Sequence, residues 1–145
     1  MEQNRKQSSA RIWAARIMVG AVFAINVMCA VQFIITPGDF APAYQLEGAV
    51  ALPIVRSFGI CFLMWNATYP PVIAHPERHR TLFGVVLAQQ AIGLVGESLL
   101  LLSLGPGLEQ LGASILRFIA FDAGGLALLA IAFGLTRIAS SARKL

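Results

Sequence analysis

Residues 17–35, 49–69, 82–104 and 115–135 form four almost continuously apolar stretches. Each approaches the roughly 20 residues that a helix needs to cross about 30 Å of hydrocarbon. Only 12% of the chain is charged and 57% is hydrophobic, whereas a soluble domain carries about 25% charged residues. The expected fold is therefore all-α. It is an integral membrane four-helix bundle formed by residues 1–145, with spans at about 12–36, 48–69, 76–104 and 111–136.

The formal net charge is +4, and its distribution says more than its size. Arg5, Lys6, Arg11 and Arg16 precede the first span, Arg78 and Arg80 lie between the second and third, and Arg137, Arg143 and Lys144 follow the fourth. The connections at 37–48 and 105–110 hold no Lys or Arg, only Asp39, Glu47 and Glu109. This alternation predicts an antiparallel up-down topology with both termini cytoplasmic, in a bacterial-type inner membrane. The basic balance then reports orientation towards membrane lipids, not nucleic acid.

Ala41, Pro42 and Ala43 imitate a signal-peptidase site. The apolar run before them exceeds the usual h-region of about 7 to 15 residues, so the first span is expected to stay. Cys29 and Cys61 fall inside expected helices, where buried thiols acting as small apolar groups fit better than a disulfide framework.

Residues 1–10 read as a short mobile tail, and Arg11, Trp13 and Arg16 mark an interface. Thr36, Pro37 and Gly38 end the first helix. Within it, Val19, Phe23, Asn26, Ala30 and Phe33 share a stripe that can face the bundle. The following loop offers Phe40 and Tyr44 either to the mouth of the bundle or to the headgroups. Helix two presents Arg56, Gly59, Leu63 and Asn66 on one stripe; Pro70 and Pro71 then end or kink it. Pro76 is placed as the first residue of helix three. His75 and His79 are four apart, but with no third ligand nearby no metal site is expected.

On helix four, Ala123, Ala127, Ala130 and Gly134 form a row of small residues. Such a row lets another helix approach closely, either within the bundle or from a partner.

The polar content of the spans is the functional clue. Gln89, Gln90 and Glu97 interrupt an apolar segment, and Arg56, Arg117 and Asp122 complete a set of four ionisable side chains, two of each sign. Intramembrane ionisable groups are functional or paired by default. At about 1.5 Å of rise per residue, Arg56, Glu97 and Arg117 all lie about 10 Å from the same end of the bundle. Glu97 is therefore expected to meet Arg56, Arg117 or both in an intramembrane salt bridge. Gln90, one heptad earlier on the stripe through Gly93, would extend the polar seam, and Asn26 and Asn66 would continue it. The seam has two readings. It fixes helix register, or it lines a cavity for a lipophilic molecule whose polar end needs hydrogen bonds.

No phosphate loop, H-E-x-x-H motif, paired cysteine ligands or pair of axial histidines accompanies this set. No catalytic residues and no cofactor are expected, though a bound lipid or quinone would suit such a cavity. An Arg-led first helix closed by a proline, the R-x-x-G of Arg56 to Gly59, and an acid at Asp122 together resemble the DoxX-like group of small four-helix membrane proteins. That resemblance implies a four-helix architecture and, as in some members, association with quinone-linked redox complexes. The functional expectation is a small multi-pass protein without catalysis of its own. It would be an accessory subunit of a larger membrane complex or homo-oligomer, or a binder of a lipophilic molecule. A proton-linked transporter or channel using Glu97 and a quinone-linked redox component are the alternatives.

Overall fold

The computed structural model describes residues 2–141. They form α1 (Glu2–Ile35), α2 (Pro37–Phe40), a 3-10 turn (Ala41–Tyr44), α3 (Ala51–Asn66), α4 (Tyr69–Ala74), α5 (Arg80–Ser103) and α6 (Glu109–Ser141), with no strand among the described residues. Four helical stretches are long and apolar enough to cross a membrane: Arg5–Ile35, Ala51–Ala74, Arg80–Ser103 and Glu109–Ser141. Ile17, Ile35, Met64, Ile92 and Leu102 are each at least two-thirds exposed. On the fourth stretch Leu116, Ile131 and Ile138 are each more than half exposed, and apolar exposure spread in this way over all four calls for hydrocarbon around the bundle.

The expected mobile tail is helical instead. Helix α6 runs on to Ser141 and gives the start of α1 a partner: the buried Ser8 hydroxyl donates to the Ala139 carbonyl at 3.2 Å. The first turns of α1 thus lie beside the last turns of α6, and we call this the terminal end. There the Arg16 guanidinium lies 4.3 Å from the Trp13 ring centre and donates to the Ile73 carbonyl at 2.9 Å.

The second span is broken rather than continuous. Pro70 and Pro71 sit in the first turn of α4, where a missing N–H leaves no bond unmade. Pro76 does not start the third span, because residues 75–79 form a turn whose His75 carbonyl accepts from the amides of Arg78 and His79. Helix α5 begins only at Arg80. Cys29 is half-buried and Cys61 exposed, so the expectation of two buried thiols fails for Cys61. Its side of α3 faces away from the bundle.

At the opposite, loop end, Phe40 and Tyr44 turn inward. The fully buried Phe33 ring lies 4.6 Å from Phe40, 6.0 Å from Tyr44, 5.8 Å from Phe62 and 6.2 Å from Phe118. Burial pushes the Tyr44 phenol above its ordinary pKa, with Cys29 and Glu97 adding to the shift, so its hydroxyl stays protonated. Gln45, in the left-handed region at φ 52°, clasps the second loop. Its Nε2 donates to the Gly107 carbonyl at 2.9 Å and its Oε1 accepts from the Leu111 amide at 3.2 Å. Because this clasp is exposed, Gln45→Ala is expected to cost less than about 1 kcal/mol. It should speed hydrogen exchange at the Leu111 amide without moving the unfolding midpoint.

Helix α1 is the central element, packed against α3 on one side and α6 on the other, and α6 packs in turn against α5. Helices α3 and α5 scarcely touch. The ring closes between them only near the terminal end, through α4 against α5. Two apolar clusters result. One, around Val19, Tyr69, Phe83 and Leu129, fills the terminal half, and the other, around Phe33, Ala51 and Val55, fills the loop half. On α1, Ile25, Asn26 and Cys29 line a space where these clusters meet, Cys29 packing also against the second of them.

Candidate functional site: a polar cavity between two cores

That space is a cavity of about 200 Å³ bounded by α1, α3, α5 and α6. Its polar lining is Asn26, Asn66, Gln90, Glu97, Arg117 and Asp122, and its aromatic walls are Phe62, Trp65, Phe118 and Phe121. Most of the seam expected from sequence is therefore brought together, but its bonding differs.

The expected salt bridge does not form. Among the described residues the ion pair present is Lys6 to Glu2 at 2.8 Å, on the exposed start of α1. Arg56 is exposed on α3 and does not line the cavity. The bundle-facing row of α3 is Ala51, Val55, Gly59 and Asn66, which puts Arg56 on the outer side and splits the predicted stripe. Arg117 lines the cavity yet is exposed. Both arginines start within a few turns of the loop end, and their long stems let the guanidinium leave the interior. Glu97 keeps a buried Oε2 with no hydrogen-bond partner.

Asp122 takes a neutral partner instead. Gln90, 3% exposed, donates from Nε2 to Asp122 Oδ1 at 2.7 Å and accepts from the fully buried Tyr69 hydroxyl at 3.3 Å. Glycines on the two helices make room for this link. A Cβ on Gly125 of α6 would stand 3.0 Å from Gln90 Nε2, and a Cβ on Gly93 of α5 would stand 2.6 Å from Asp122 Oδ2. Each polar side chain thus lies over the other helix's glycine.

Asn66 is 4% exposed; its Nδ2 donates to the Phe62 carbonyl at 2.7 Å within α3, and its Oδ1 has no partner. Gln89 stays outside the cavity, its Oε1 3.0 Å from the Thr68 hydroxyl, where it helps tie the α3–α4 break to α5. Trp65 reaches across the gap between α3 and α5, its Cη2 lying 3.6 Å from the same Cβ position on Gly93.

The row of small residues on α6 lies elsewhere. Ala123, Ala127 and Ala130 are exposed and Gly134 is half-buried, so the row does not serve packing within the bundle. Helix α6 packs inward with Gly125, Leu129, Ala132 and Thr136. The position of Trp65 and Tyr69 near the end of the second apolar stretch reads as an interface, but Tyr69 is fully buried and Trp65 lines the cavity, while nothing in the sequence sets Phe118 and Phe121 apart from other apolar residues. The described residues hold no cluster of three or more side chains suited to a metal ion.

Comparison with known proteins found no matching family model, no matching curated protein and no matching solved structure.

Proposed function

We propose that this chain is a multi-pass inner-membrane protein, with both termini cytoplasmic and an antiparallel up-down course, that binds a lipophilic molecule without catalysis of its own. The observation that carries this reading is the pairing of aromatic walls with buried, unpartnered oxygens on Asn66 and Glu97 inside one cavity. A buried polar atom left unbonded costs about 1–3 kcal/mol. A ligand supplying the missing hydrogen bonds would recover that cost while its apolar body filled the space. The gap between α3 and α5, bridged by Trp65, supports entry from the side, out of the bilayer.

Native mass spectrometry of the chain released from lipid nanodiscs tests this. The expected spectrum shows the chain with a retained small molecule, and Gly93→Leu, which drives a side chain into the cavity, should lose it. A bare chain in both preparations would contradict the reading.

The exposed row at Ala123, Ala127 and Ala130 favours a second reading, in which the chain is also a subunit of a homo-oligomer or larger membrane assembly. In a chain carrying Cys29→Ser and Cys61→Ser, Ala127→Cys is expected to cross-link copies through α6 if the assembly is a homo-oligomer. An exposed control such as Ile92→Cys should not. Equal cross-linking at both positions would remove the homo-oligomer form of this reading.

A further inference from the structure

The acceptors and donors facing the cavity are out of balance, and the imbalance has a chemical meaning. Among the described residues no buried side-chain nitrogen lacks a partner, one N–H of Gln90 donating to Asp122 and one of Asn66 to the Phe62 carbonyl. Oxygens do lack partners. Asn66 Oδ1 and Glu97 Oε2 are buried without partners, and Asp122 Oδ2 faces the space that Gly93 leaves open. Glu97 follows Gly93 by one helical turn and so rises from the same face of α5. The two carboxyl groups therefore flank one stretch of the cavity. The guanidinium at its rim, on Arg117, makes no ion pair with either.

Resting on the reading of the cavity as a lipophilic-ligand site, we propose that its ligand is a lipophilic ammonium ion, a protonated primary or secondary amine on a small apolar body. Positive charge answers the two carboxyl groups, which are costly in hydrocarbon unless compensated. The N–H groups answer the oxygens that lack donors, and charge-assisted bonds of this kind are about twice as strong as neutral ones. Trp65, Phe118 and Phe121 line the cavity, and aromatic rings both attract a cation and pack against an apolar body. An anion would face two carboxyl groups and the unpartnered oxygens, an alcohol would bring a single donor, and a quaternary ammonium would bring none.

The chain contains two tryptophans, so Trp13→Phe leaves Trp65 as a fluorescence reporter inside the cavity. In nanodiscs of zwitterionic lipid, this chain would be titrated with phenethylammonium, its N,N,N-trimethyl derivative, phenethyl alcohol and phenylacetate. Phenethylammonium is expected to bind about tenfold more tightly than the alcohol, with the trimethyl derivative between them and phenylacetate weakest. Glu97→Gln should remove most of the ammonium preference while the alcohol still binds, and the exposed control Arg56→Gln should preserve the preference. Equal affinity for ammonium and alcohol, a preference for phenylacetate, or a preference unchanged in Glu97→Gln would overturn the proposal. Should Glu97→Gln not fold, the ranking of the four probes on the parent chain decides alone. Alcohol binding without ammonium preference would end this proposal and leave the lipophilic-ligand reading standing. Binding of none of the probes would remove both.

Discussion

Gln90→Leu is expected to lower the stability of the bundle by about 2 kcal/mol, because it strands the fully buried Tyr69 hydroxyl and the half-buried Asp122 carboxyl at once. The Tyr69 hydroxyl loses its acceptor and Asp122 loses the amide donor that takes the place of a counter-charge. A leucine of similar size fills the volume, so the loss reports hydrogen bonding rather than a void. Helices α5 and α6 are joined by this link, and Asp122→Ala should therefore be non-additive with Gln90→Leu. The double variant is expected to cost little more than the worse of the two single variants, because removing both partners leaves fewer stranded groups than removing one. Reversible unfolding in micelles measures all three. Strict additivity would mean that the 2.7 Å bond between Gln90 and Asp122 contributes nothing.

A second large effect is expected at Gly59, where α3 crosses α1. A Cβ there would stand 2.6 Å from the Ala30 carbonyl oxygen, 2.7 Å from Ile34 Cγ1 and 3.0 Å from Phe33 Cβ. The first of these is backbone and cannot rotate away, so the two helices must separate. Gly59→Ala is expected to cost about 1–3 kcal/mol, the usual range for overpacking a tight site. It should also disturb the aromatic cluster around Phe33 at the loop end. Gly84 and Gly96 give the contrast, since nothing lies within 4 Å of a Cβ added at either. Alanine at those positions is expected to be neutral or mildly stabilising through helix propensity. Thermal unfolding of the three variants in one detergent makes the comparison, and equal midpoints would contradict the close approach of α1 and α3.

The four long apolar helices were legible in the sequence because length and hydropathy decide them locally. The cavity's polar residues were legible as a set for a related reason: an amide or a carboxyl inside an apolar run is conspicuous wherever it points. Their partners were not legible. Pairing by opposite sign assumed that Arg56 and Glu97 face each other, whereas the azimuth of α3 is set by Gly59 against the Ala30 carbonyl, a steric condition without a charge signature. The same applies to Asp122, whose bond to Gln90 depends on glycines at 93 and 125 that sequence reading treats as ordinary small residues. The exposed row on α6 was visible as a pattern, but a spacing of three and four describes an inward and an outward face equally well. The helical start of α1 escaped notice because its polar composition resembles a tail, and its order depends on a contact with Ala139, 131 positions away.

If the space where the two apolar clusters meet is a binding site, a density map of the chain in a lipid nanodisc will show it occupied. Density not belonging to the protein is expected between Trp65 and Phe118, with its polar end within hydrogen-bonding reach of Glu97 and Asn66. A map in which α3 closes onto α5, Trp65 fills the space and Glu97 turns out toward lipid would contradict this expectation.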